Sequence, residues 1–185
     1  IYATTDAGAS WQQVALPPAL TSEGELGQRL QCAPPGVIWD LFLGGAGAGN
    51  QFYALYRGSA GGAPWQLLTG HEISGGLGPE PGPYAGALSV VSADAAYLTG
   101  VCGACYPPSP TTPPAVAIGG TIDAGKTWQD FPVPGLPPTT NDIAFVTINQ
   151  GWLVAERSAS RSSQIMATVD GGRTWSQQFA LLSSP

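Results

Sequence analysis

An eight-residue pattern, Thr-x-Asp-x-Gly-x-x-Trp, occurs three times: "TTDAGASW" at 4–11, "TIDAGKTW" at 121–128 and "TVDGGRTW" at 168–175. Chemistry needs its constellation once per molecule, so a motif repeated along a chain reads as scaffold. Periods of roughly 20–50 residues mark arrays of one supersecondary unit. Trp128 and Trp175 lie 47 residues apart, but Trp11 and Trp128 lie 117 apart, which predicts a further copy in the gap. "GSAGGAPW" at 58–65 fills it. Gly62 and Trp65 hold the pattern there, while Gly58 and Ala60 stand in place of Thr and Asp, so a looser turn is expected.

A second alignment gives the same period. "LSVVSADAAYLTG" at 88–100 matches "IAFVTINQGWLVA" at 143–155, with Asn149 answering Asp94 and Trp152 answering Tyr97. Each segment is two β-rich runs around a polar turn, a hairpin signal. Short strand-like runs also flank each box: "IYAT", "AVAIGG" and "QIMAT" before it, "WQQVAL", "WQDFPV" and "WSQQFAL" after it. One unit is therefore four strands, A to D, with the box at the C–D turn. Asp and Thr side chains bond nearby backbone N–H groups, Gly supplies a positive φ, and Trp brings a large apolar ring back under the hairpin. These features predict approximate units at 1–20, 21–70, 71–135 and 136–185, with Trp11, Trp65, Trp128 and Trp175 largely buried beneath their turns.

Built on Thr4, Asp6, Gly8 and Trp11, on Thr121, Asp123, Gly125 and Trp128, and on Thr168, Asp170, Gly172 and Trp175, the boxes resemble the Asp-box, or bacterial neuraminidase repeat. That repeat is found in sialidases, xyloglucanases, sortilin-type receptors and photosystem II assembly-factor-like proteins. The resemblance implies an all-β β-propeller of four-stranded antiparallel blades with the boxes at the outer blade edge. The box aspartates are then structural, not catalytic. Counted in strands, about three and a half blades are present, so an incomplete propeller is expected. Its first hairpin, within residues 1–16, would need the remainder of a propeller, a second copy or another subunit to cover it, because an isolated hairpin is marginal in water.

If the C–D and A–B turns share one face, the other face carries the B–C and D–A loops, at 17–27, 70–86, 101–115, 132–142 and 156–164. Irregular loops on a regular scaffold suit a binding face. Tyr84, Tyr106, Arg157 and Arg161 are its candidate ligand residues, for a protein partner or a glycan. A sialidase of the resembled family requires three arginines and an Arg-Ile-Pro motif, which is absent. Xyloglucanase-type hydrolysis needs two opposed carboxylates. Glu72, Glu80 and Asp142 are candidates, although loop acids are usually solvated. His71 is the sole histidine, so no multi-histidine metal site exists. No catalytic, metal or cofactor site is predicted.

"CGAC", Cys102 to Cys105, reads first as a small disulfide closing the mouth of a proline-rich loop. Closing so short a ring stabilises by about 2 kcal/mol on the chain-entropy account. Free thiols remain an alternative, as does a metal or redox role, for which zinc would need ligands beyond Cys32.

Six basic and twelve acidic residues leave a charge of −6, which argues against nucleic acid and anionic lipid. Charged residues are only 10%, with 26 Gly and 18 Pro, and no apolar run is long enough for a transmembrane span. A surface of Ser, Thr, Gln and Gly is common among secreted bacterial proteins. The expected function is therefore an extracytoplasmic binding or assembly module. The alternatives are a fragment of a secreted glycoside hydrolase and a structural subunit of an extracellular assembly.

Overall fold

The computed structural model describes residues 2–14, 27–47, 50–59, 64–72, 75–77, 84–101, 116–133, 140–157 and 162–181. Every regular element among them is a strand, and no helix is long and apolar enough to cross a membrane. A hairpin of β1 (Tyr2–Ala3) and β2 (Gln12–Gln13) comes first. The second sheet contains β3 (Gly27–Ala33), β4 (Val37–Gly47), β5 (Asn50–Ser59), β6 (Gln66–Glu72) and β7 (Gly75–Leu77). The third contains β8 (Tyr84–Val90), β9 (Ala96–Val101), β10 (Val116–Thr121) and β11 (Gln129–Val133). The fourth contains β12 (Thr140–Phe145), β13 (Gly151–Arg157), β14 (Ser162–Thr168) and β15 (Ser176–Leu181). All four sheets are antiparallel with strands in sequence order.

The second sheet has five strands where the sequence predicts four. Gly75–Leu77 folds back onto β6, pairing Gly70 with Leu77 and Glu72 with Gly75. This stretch falls within the region 70–86 read as a loop. "GGL" has no side-chain alternation, so nothing in it signals a strand.

The hairpins matched in sequence also match in register. Val90 pairs with Ala96 in the third sheet, and Phe145 pairs with Gly151 in the fourth, around turns of equal length. Alternation along these strands then decides what each face buries. In the third sheet Leu88, Ala96 and Leu98 meet Trp39, Leu41, Tyr53 and Leu55 of the second. Its opposite face sends Ala87, Tyr97, Ile118 and Val133 against Ile143, Phe145, Leu153 and Ala155 of the fourth. Burial on both faces explains why β4 and β9 are nearly continuous apolar runs. A side chain as fully buried as Leu98 or Leu153 contributes about 2 kcal/mol.

The first strands of successive sheets lie beside one another. Gln31 on β3 donates Nε2–H to the Leu88 carbonyl (2.7 Å) and accepts from the Val90 N–H (2.8 Å) on β8. Ser89 Oγ on β8 accepts from the Phe145 N–H (2.8 Å) on β12. Edge backbone groups that would otherwise lie buried and unpaired are thereby satisfied by a neighbouring side chain.

Candidate functional site

The box turns have one local construction. At 168–175, Thr168 Oγ1 donates to Asp170 Oδ1 (2.8 Å) and accepts from the Gly172 N–H (2.9 Å). Asp170 also accepts from the N–H and hydroxyl of Thr174, at 2.9 and 2.6 Å. Thr121 and Asp123 repeat this scheme with Gly125 and Thr127. Thr4 and Asp6 repeat it with Gly8 and Ser10. Gly8, Gly125 and Gly172 have φ of 92°, 83° and 94°. The residue before each is left-handed too: Ala7, Ala124 and Gly171 have φ of 56°, 63° and 76°, a constraint that the Thr-x-Asp-x-Gly pattern does not express.

Hydrogen bonds to the ionised form hold the three carboxyls at a pKa of about 2, led by the hydroxyls of Ser10, Thr127 and Thr174. At neutral pH each is an anion already engaged by its own turn, a poor starting point for a general acid or base.

Box turns and first turns meet. The Ala124 N–H donates to the Asp94 carbonyl (2.8 Å), and the Gly171 N–H donates to the Asn149 carbonyl (2.9 Å), at equivalent positions of the third and fourth sheets. A cross-link between sheets reinforces the first of these turns. Arg57 on β5 donates Nε–H to the Ala93 carbonyl (2.9 Å) and forms an ion pair with Asp94 (3.4 Å).

The tryptophans differ. Trp175 packs against the core between the third and fourth sheets and donates Nε1–H to the Gly172 carbonyl (3.0 Å). Trp128 packs against the core between the second and third sheets, and its buried indole N–H has no partner among the described residues. Trp65 packs on Phe42, Phe52, Ala54 and Tyr56, against a Gly58 whose Cβ would come within 2.8 Å of its ring. The rings of Trp128 and Trp175 thus lie on the face toward the preceding sheet, whereas Trp65 packs on residues of its own sheet. Trp11 is 60% exposed, contrary to the burial expected from the sequence, because no sheet precedes its hairpin among the described residues. The other three are partly, not largely, buried.

Of the residues assigned to the loop face, Tyr84 begins β8, Glu156 and Arg157 end β13, and His71 and Glu72 end β6. Asp142 lies on β12 and is exposed. These strand ends are opposite to the box turns in register. Gly62, Glu80, Cys102, Cys105, Tyr106 and Arg161 lie outside the described residues, as does the proline-rich tract after Cys105. Cys32 is an exposed free thiol on β3. Among the described residues no group of His, Cys, Asp and Glu is arranged to hold a metal.

Two features escaped sequence reasoning. Asp40, fully buried on β4, accepts from Gln28 Nε2 at 2.9 and 2.7 Å; its signal was a single acid inside the apolar run "VIWDLFL". The second is a cleft of about 410 Å³ between the 121–127 turn, the 148–149 turn and the 171–173 segment. Tyr97 and Phe131 line it, with Ile122 and Ile148 at its mouth and Arg173 at its rim. Burial pushes the Tyr97 phenol up, against the opposing charge of Arg173, so it stays a donor and bonds the Ile148 carbonyl. No sequence period links these residues, because turns from two sheets supply them.

The chain matches no protein-family model and no curated protein.

Proposed function

We propose that this chain is an extracytoplasmic binding or assembly module built from blades of an Asp-box β-propeller, and that its stack of sheets continues into further sheets of the same kind. The observation that carries this reading is a comparison of equivalent positions. Tyr97 and Ile118 of the third sheet are buried by the fourth. Their counterparts, Trp152 and Ile165, are apolar as well but only partly buried. Phe179, which pairs with Ile165 as Phe131 pairs with Ile118, is 53% exposed. An apolar face of this pattern suits another sheet. Further support comes from the adjacent first strands β3, β8 and β12, which are the inner strands in a propeller. The exposed Trp11 of the first hairpin likewise awaits a preceding sheet. The covering sheets are supplied by the remainder of a propeller, a second copy or another subunit. Loops at the ends opposite the boxes are the binding face for a protein partner or glycan, and no catalysis is assigned.

Sedimentation of the isolated chain combined with hydrogen exchange tests the reading. Association is expected, or else a monomer in which the 2–13 hairpin exchanges freely. A monomer with that hairpin strongly protected overturns it, since the chain would then cover its own ends.

A further inference from the structure

The cleft between the third and fourth sheets has a chemistry that the scaffold does not require. Its one guanidinium, Arg173, is held in place from two directions. Nη1–H donates to the Asp170 carbonyl (2.8 Å), and the guanidinium carbon stands 5.6 Å from the centroid of the Phe131 ring. Among the described residues Arg173 has no carboxylate within ion-pair distance, whereas Arg57 has Asp94. Asp123 also lines the cleft, but its oxygens accept from Thr121 and Thr127 within its own turn. The rim therefore offers a positioned cation with donors left over, and a pre-ordered guanidinium loses little entropy when it takes a carboxylate.

The remaining walls restrict what accompanies that carboxylate. Ile122 and Ile148 are 66% and 44% exposed at the mouth, so an apolar group seated between them would remove branched aliphatic surface from water. A sugar would seek a bare aromatic face, and Arg173 stands over Phe131. The amides of Gln129 and Asn149 add polar groups of the kind that meet a peptide backbone.

We propose that this cleft binds the C-terminal residue of a peptide, with its apolar side chain between Ile122 and Ile148 and its terminal carboxylate on Arg173. Capture of a terminal carboxylate beside a side-chain pocket is a recurrent peptide-recognition mode. Every group used belongs to the third and fourth sheets, so the site does not depend on what covers the outer faces of the stack.

Fluorescence anisotropy of the full chain with labelled pentapeptides ending in Leu, Val or Phe, each as the free acid and as the C-terminal amide, tests it. At least one free acid is expected to bind, with its amide weaker by about tenfold or more, the size of a lost charge-assisted hydrogen bond. Arg173→Gln should reduce the acid to the level of the amide. Ile122→Ser, at an exposed position, should weaken both forms while leaving the melting temperature unchanged. Acid and amide binding equally, Arg173→Gln leaving the difference intact, or no peptide binding at all would each overturn the assignment. If Arg173→Gln fails to fold, the acid–amide difference and Ile122→Ser decide alone.

Discussion

The Thr and Asp side chains of the boxes at 4–11 and 168–175 make the same hydrogen bonds at nearly the same lengths, yet the tryptophans end in different surroundings. Trp175 forms an edge contact with Phe145, 6.1 Å between centroids, and Phe145 stacks on Tyr97 of the preceding sheet at 3.7 Å. Trp11 faces solvent. The difference teaches that the turn is self-sufficient while the burial of its aromatic residue is not. Hydrogen bonds within five residues form in all three complete copies of the motif, but how far an indole is buried depends on what packs against it.

That comparison breaks most readily at the tryptophans. Trp175→Ala is expected to destabilise by about 3 kcal/mol, as a large-to-small change in a packed site does. Trp11→Ala should stay within about 0.5 kcal/mol, as for an exposed position. Chemical denaturation of both variants measures the contrast; equal losses would mean that Trp11 is covered in solution.

The carboxyls sharpen it. Asp6 and Asp170 both sit at about 2 against an ordinary 3.8, because their partners lie in their own turns. A folded pKa below the unfolded one gives stability that is complete above about pH 4 and disappears as pH falls towards 2. Acid unfolding should therefore advance through this window, and a carboxyl-carbon NMR titration should place both residues near the lower value. If Asp6 titrates near 3.8 while Asp170 does not, the turn needs its neighbouring sheet after all.

The smallest expected effect lies at the residue before the box glycine. Ala124 has φ of 63° where the last box has Gly171 at 76°. Relief of a left-handed alanine competes with the greater freedom of glycine in the unfolded chain, so Ala124→Gly should stabilise by at most about 1 kcal/mol. Thermal melts of Ala124→Gly beside Ala7→Gly measure it; a clear loss at either site would show that the alanine methyl is packed and not merely tolerated.

By itself the sequence determined the features whose causes are local. Thr, Asp and Gly at fixed offsets place left-handed turns at 4–11, 121–128 and 168–175, and the aligned runs at 88–100 and 143–155 set two hairpins of equal register. Only the tertiary structure decided what depends on a second sheet. It exposes Trp11 while packing Trp175, buries Asp40 with the Gln28 amide bonded to its carboxylate, and folds Gly75–Leu77 onto an edge that its composition does not announce. The cleft belongs to the same class. Phe131, Ile148 and Arg173 are far apart in the chain and share no period, and they meet because the turns of adjacent sheets are set side by side. Hydrogen bonds between near neighbours can be read from spacing, whereas burial is a property of what lies opposite, which spacing along one chain does not specify.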